Sequence, residues 1–296
     1  MRIFITGGTG FIGAPVVKKL ENENHNLLLL ANHPEKINNI STRNNISILQ
    51  GDLSNTDKLK NKIKKFKPDA AIHMAWESIP DYGSSASVKN LKYGLDLFQI
   101  LADCRCKKII CTGSCWEYGQ QYGKLNEEMA LKPMNAFSAA KNTLHWMGNE
   151  IAKENNLQFI WIRLFYVYGP GQKEASLIPY LINCAKTGKT PKIKNPSARN
   201  DFVYVEDVAD AISLLLKNCT QSAAYNIGSG HSTSVQKIMR IIYDRFKIKY
   251  RHNSSDSLNN DGDINFWADI SKIKKEIGWK PKISIKEGIN RVIEQN

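Results

Sequence analysis

The 296-residue sequence has no apolar run long enough to cross a bilayer. Its longest aliphatic stretch, Leu27 to Ala31, is the size of one strand, whereas a membrane helix needs about 18 residues. The start, Met1-Arg2-Ile3-Phe4-Ile5-Thr6-Gly7-Gly8, lacks the apolar stretch and small-residue cleavage site of a secretion signal. Cysteine is sparse: Cys104, Cys106, Cys111, Cys115, Cys184 and Cys219 form neither a CxxC pair nor any metal-ligand spacing. They read as free thiols in a reduced compartment, and no metal site is expected. Acidic residues are few, 28 against 41 Lys and Arg, for a formal charge of +13. The lysines are spread along helical-looking stretches such as Lys60 to Lys67, which read as solvated faces and not as a nucleic-acid surface. A charged fraction of 23% and an apolar fraction of 42% argue against a disordered chain and against a coiled coil. The expectation is a cytoplasmic globular protein with no membrane or nucleic-acid partner.

What the sequence does have is alternation. Strand-like runs at Arg2–Thr6, Asn26–Ala31, residues 46–49, Ala70–His73, residues 108–112 and Gln158–Leu164 are separated by helical stretches, the rhythm of a parallel sheet covered on both faces. Ser54 and Asp57 have capping-box spacing, and the helix they open should end before Pro68. Residues 38–45 and 253–262 read as polar loops. After Gly169-Pro170-Gly171 the pattern loosens. The reading is an α/β doubly wound parallel sheet over residues 1–165, with a return segment near 201–218, and a smaller mixed α/β C-terminal lobe over residues 166–296.

Thr6-Gly7-Gly8-Thr9-Gly10-Phe11-Ile12-Gly13 follows the first strand and opens a helix. Gly7 permits the tight turn, Gly10 lets the backbone approach a pyrophosphate, and Gly13 lets helix and strand pack closely. With Phe11 and Ile12 this places a helix N-terminus against negative charge, the arrangement that binds a dinucleotide. At the end of the second strand, where a carboxylate would hold the ribose of NAD, stands neutral Asn32, followed by His33 and Lys36. Both could pair with a 2′-phosphate, so NADP(H) is favoured; because Asn32 is not an arginine, NAD(H) stays possible.

These residues resemble the extended short-chain dehydrogenase/reductase superfamily, in its nucleotide-sugar epimerase, dehydratase and reductase members. The resemblance spans nearly the whole chain. Besides the glycine turn it rests on Gly51-Asp52-Leu53, His73-Met74-Ala75-Trp76, Asn90, Ser114 to Gly119 (SCWEYG), Arg163 to Gly171 (RLFYVYGPG), Asp201 to Asp207 (DFVYVED), Tyr225 to Gly228 and Gly278 to Pro281. It implies a Rossmann domain in which Asp52, Leu53, Ala75, Trp76, Asn90 and Lys141 contact the dinucleotide. It also implies a C-terminal lobe closing over a nucleotide-diphosphate sugar, and a homodimer built on the helices containing Asn90 and Lys141. The family chemistry uses a serine or threonine, a tyrosine, and a lysine four residues later. Ser114 and Lys141 match, but Phe137 occupies the tyrosine position.

Three explanations of Phe137 stay open. It is an introduced tyrosine-to-phenylalanine change, or a natural enzyme uses another acid from among Glu117, Cys115, Tyr118 and Tyr166, or water, or the chain is a silent binder of sugar nucleotide and NADP. Cys115 and Trp116 stand where the family's dehydratases carry acids, which counts against 4,6-dehydration. Tyr166 replaces a frequent asparagine; Arg199 and Arg251 are candidates to replace missing diphosphate-binding arginines. Cys115, Trp116, Glu117, Tyr166 and Arg199 are thus the candidate substrate residues. The resemblance implies reduction of a 4-keto sugar nucleotide by NADPH, with a 4-epimerase holding NAD as the alternative.

Overall fold

The computed structural model describes residues 1–33, 35, 45–248 and 265–295; Lys36, Arg251 and the expected loops over residues 38–44 and 253–262 lie outside them. In chain order the elements are β1 (Arg2–Thr6), α1 (Gly13–Asn22), β2 (Asn26–Ala31), β3 (Ile46–Gln50), α2 (Thr56–Phe66), β4 (Ala70–His73), α3 (Ser84–Asp103) and β5 (Lys108–Ser114). Then follow β6 (Gly123–Leu125), α4 (Ala136–Glu154), β7 (Gln158–Leu164), β8 (Tyr166–Tyr168), α5 (Leu177–Thr187), β9 (Arg199–Asn200) and β10 (Phe202–Tyr204). The chain ends with α6 (Val205–Asn218), β11 (Ala223–Ile227), β12 (Thr233–Ser234), α7 (Val235–Arg245), β13 (Phe266–Ala268), α8 (Ser271–Ile277) and α9 (Ile285–Gln295).

Strands such as β2, whose LLLLA run is buried throughout, are apolar on both faces and therefore need helices above and below. Among the described residues one sheet holds seven strands in the order β11-β7-β5-β4-β1-β2-β3, every neighbouring pair parallel. All six expected strands are there. The seventh, β11, comes from beyond the expected return segment. Ile3 and Ile5 point into one core with Val16 and Leu20 of α1 and Val208 and Ile212 of α6. Phe4, between them, points into the other with Ile63 of α2, Phe98 of α3 and Leu144 of α4. That alternation is the period of two of a strand. Because β1 lies between β2 and β4, the chain reverses direction across the sheet there, and a crevice opens beyond the carboxyl ends of β1 and β4.

The later segments build a third core from Ile178 and Leu181 of α5, Ile238 and Met239 of α7, and Ile289 and Val292 of α9. Asp207 ties the parts together: its carboxylate accepts the Lys282 and Ile283 amides, and its carbonyl accepts the Trp279 indole N–H. Asp201 likewise accepts the amides of Ser229, Gly230 and Ala268. Helix α2 starts one residue later than its expected cap. Asn55 holds the cap position, while the Ser54 amide donates to Asp52 at 2.8 Å.

Candidate active site

The glycine turn closes at the carboxyl end of β1, where the Gly10 amide donates to the Gly7 carbonyl at 3.0 Å. Gly7 has φ +73°, and a Cβ there would sit 2.7 Å from the Ala75 amide nitrogen. A Cβ on Gly13 would lie 2.0 Å from the Gly7 carbonyl oxygen. Neither position tolerates a side chain, so the turn can pack this closely against the segment after β4 and against the start of α1 only with glycine. Beside it lies a cavity of about 240 Å³ lined by Gly7, Asn32, His33, Asp52, Leu53, Ala75 and Asn90 among others. Gly10 and Phe11 face a separate groove between α1 and α6, and Ile12 packs on the core. Asn90 spans the mouth of the β4–α3 loop, accepting the Glu77 amide at 2.8 Å and donating to the Ala86 carbonyl at 2.8 Å. His33 meets the Glu35 carboxylate at 3.1 Å, a neighbour the motif reading passed over.

Ser114 ends β5, and the chain then turns through one 3-10 turn, Cys115–Tyr118. Its hydroxyl accepts the Trp116 amide at 3.2 Å, and its own amide donates to Glu117 at 2.7 Å. Phe137 and Lys141 lie one helical turn apart on α4, whose first turn is fixed by a reciprocal cap between Asn135 and Ser138. The Lys141 ammonium donates to the Thr112 carbonyl at 2.7 Å and lies 4.0 Å from the Trp76 ring centre. Burial lowers its pKa to about 8. Phe137 is buried among aromatic rings, 5.3 Å from Trp76, 5.1 Å from Tyr82 and 6.0 Å from Trp116. The Trp76 indole nitrogen is buried and has no partner among the described residues.

These features fit a dinucleotide. The glycine turn, Asn32, His33, Asp52 and Leu53 could hold its adenosine end. Ala75, Asn90, Lys141 and the unpartnered Trp76 N–H could hold its nicotinamide end. When bound, that group supplies or accepts a hydride.

A second cavity of about 240 Å³ is lined by Trp116, Gln120, Gln121, Tyr122, Met134, Asn135, Ser138, Tyr166 and Phe266 with Gly119. The Trp116 indole donates to the Tyr166 hydroxyl at 3.3 Å. Of the five expected substrate residues, only these two line it. Cys115 is buried with Tyr118, Leu125 and Phe165, and burial pushes its thiol pKa up. Glu117 is fully buried and accepts N–H donors from Ser114, Trp161 and, at 3.0 Å, Arg163. Burial raises its pKa against the pull of Arg163, and its oxygens are taken up by these donors inside the core, away from the cavity. Arg199 is exposed, and its guanidinium binds Ser232 at 3.1 and 2.9 Å. Tyr118, another candidate acid, donates to Asn226 at 2.8 Å inside the core. His73 contacts Thr6 at 2.7 Å and is kept neutral by burial, and His145 stacks on Trp161 at 4.9 Å, so both pack in the structure. Tyr82 was missed by sequence reasoning, because the loop it sits on carries no motif.

Among the described residues no group of His, Cys, Asp or Glu could hold a metal ion, and no helix is long and apolar enough to cross a membrane. The chain is similar to the bifunctional UDP-glucose 4-epimerase and UDP-xylose 4-epimerase 1 of Pisum sativum, 27% identical over 97% of this chain and 93% of that one. It is similar to the dTDP-4-dehydro-6-deoxyglucose reductase of Escherichia coli, 24% identical over 99% and 96%. The crystal structure of UDP-glucose 4-epimerase from Thermotoga maritima with UDP-glucose matches with a TM-score of 0.87 at 23% identity, over 100% of this chain and 98% of that one, and shares the fold. The sequence model of the NAD dependent epimerase/dehydratase family matches residues 3–228. With its parallel seven-stranded sheet, its glycine turn and this match over most of its length, the chain belongs to the NAD dependent epimerase/dehydratase family.

Proposed function

We propose that the protein reduces the 4-keto group of a nucleotide-linked sugar with NAD(P)H. One observation carries this reading: Phe137 replaces a phenol while Ser114 and Lys141 keep their places at the end of β5 and on α4. Oxidising a sugar hydroxyl requires a base to take its proton. Reducing a ketone requires a donor to polarise the oxygen, a positive charge near the growing alkoxide, and an acid. Ser114 and Lys141 provide the first two; Phe137 provides neither the acid nor, in the reverse direction, the base, so the proton must come from another group. Bound dinucleotide supplies the hydride. The cavity lined by Trp116, Tyr166 and Phe266 receives the sugar, whose apolar face suits aromatic walls.

The test is to mix the protein with NADPH or NADH and 4-keto sugar nucleotides of different bases and to follow reduced-nicotinamide absorbance. Stoichiometric oxidation with formation of the 4-hydroxy sugar is expected. Interconversion of 4-hydroxyl epimers without net absorbance change would establish the second reading, a 4-epimerase, which the Pisum sativum relative favours. Binding of both ligands without turnover would make the protein a silent binder. The reading includes NADP(H) as the preferred form, because Asn32 leaves the strand end uncharged, although Glu35 beside His33 works against a 2′-phosphate. It also includes a homodimer on α3 and α4, which expose Val88, Trp146 and Met147.

A further inference from the structure

We propose that Tyr82 is the proton donor of this site, in place of the phenol that Phe137 lacks; the proposal rests on the reduction reading above. Tyr82 comes from a different element than the residue it would replace, the loop between β4 and α3. That loop carries its ring to 5.1 Å from Phe137 and 4.9 Å from Trp116, and Trp116 in turn lines the cavity. The loop is braced on both sides. The Glu77 amide donates to Asn90 at 2.8 Å, the Asp81 amide to the Ser78 carbonyl at 2.6 Å, and the Gly83 amide to Asp81 at 2.8 Å. Lys173, from the segment after β8, donates to the Ile79 carbonyl.

Tyr118 donates its proton to Asn226 and receives Arg163, the Tyr166 hydroxyl receives the Trp116 indole, and Tyr122, which also lines the cavity, is 62% exposed. Among the described residues the Tyr82 hydroxyl has no hydrogen-bond partner, so its proton is available to a ligand. Burial raises its pKa, which keeps the proton on the phenol at neutral pH. The side chain is only half-buried, so water can restore the proton after each cycle.

The step balances. As C4 of the keto sugar takes a hydride from the reduced dinucleotide, the carbonyl π pair moves to O4. The Tyr82 O–H bond breaks, an O4–H bond forms, and the phenolate then takes a proton from water. Ketone, reduced dinucleotide and one solvent proton become alcohol and oxidised dinucleotide.

The experiment compares the parent chain, Tyr82→Phe, Tyr166→Phe, and Tyr82→Phe combined with Phe137→Tyr, each with NADPH and a 4-keto sugar nucleotide. Tyr82→Phe is expected to slow single-turnover reduction by about 10²-fold with dinucleotide affinity unchanged. Adding Phe137→Tyr should recover most of that loss. Calorimetry gives a second readout without turnover: Tyr82→Phe should weaken binding of a 4-keto sugar nucleotide relative to its 4-deoxy analogue by roughly 3–10-fold, the size of one hydrogen bond, leaving the share of the preference that Ser114 supplies. A Tyr82→Phe protein that reduces at the parent rate, or a loss confined to Tyr166→Phe, overturns the assignment and leaves the reduction reading standing. A parent chain that binds both ligands and never turns over overturns the reduction reading and Tyr82 with it.

Discussion

Phe137 differs from tyrosine by one oxygen, and the residues around it were readable to very different degrees. Gly7, Gly13, Ser114 and Lys141 sit where their spacing put them, because a turn and a helix fix side chains by geometry that the sequence displays. Cys115, Glu117 and Arg199 do not line the cavity of Trp116 and Tyr166. The strand period of two breaks at Ser114, and the following turn repeats every three residues or so. Trp116 therefore faces the cavity, while Cys115, Glu117 and Tyr118 face the core. Glu35 was equally hidden, since nothing in its sequence neighbours says that it meets His33. It yields a prediction at this scale. Glu35→Gln releases His33 and removes a negative charge from the strand end, so NADP(H) affinity should rise relative to NAD(H) by roughly 2–10-fold, the worth of an exposed charge–charge contact or a little more. Paired calorimetric titrations of parent and variant check it; an unchanged ratio would remove this pair from cofactor selection.

At the scale of elements, the sheet was legible wherever a strand is a buried aliphatic run, as in β2 and β7. The strand β11 reads AAYNI, and its polar fourth residue hides it. Asn226 can be fully buried there because it accepts from Tyr118 and donates to the Leu125 carbonyl, partners that only the fold brings near. The same holds for the join between β5, its 3-10 turn and β7, where Glu117 and Arg163 pair out of water. Removing one member of such a pair strands the other charge, so Glu117→Ala should destabilise the protein by about 3–5 kcal/mol. The double variant Glu117→Ala, Arg163→Met should lose less than the sum of the two single changes. Urea unfolding of the four proteins decides the matter, and additive losses would mean that the pair does not act as a unit.

For the molecule as a whole, buried His73 and partly buried His145 set an acid limit. Burial, assisted by the nearby Lys141 charge, lowers His73 from 6.5 to about 3, and burial with Arg163 lowers His145 to about 3. The unfolded chain therefore binds more protons between those values, and stability falls as pH drops through that window, by up to about 1.4 kcal/mol per pH unit for each histidine. Above about pH 6.5 this dependence should vanish. His145→Phe, which keeps a ring against Trp161, should flatten the acid side of the urea-midpoint profile; an unchanged slope would exclude His145 as a source. The exposed face of α3 and α4 gives another test. Trp146, 68% exposed on α4, should be covered in a dimer, so Trp146→Glu should convert the sedimenting species from dimer to monomer, and a monomeric parent would refute the assembly. Finally, the pairing of β11 with β7 orders events on the ribosome. Until Ile227 has emerged, β7 is an open parallel edge, and the core it belongs to also waits for Ile273, Ile277 and Trp279 near the C-terminus. A nascent chain of this protein thus exposes a sticky sheet margin from the completion of β7 until β11 has followed, the interval in which chaperone contact or misassembly with a neighbouring chain is decided.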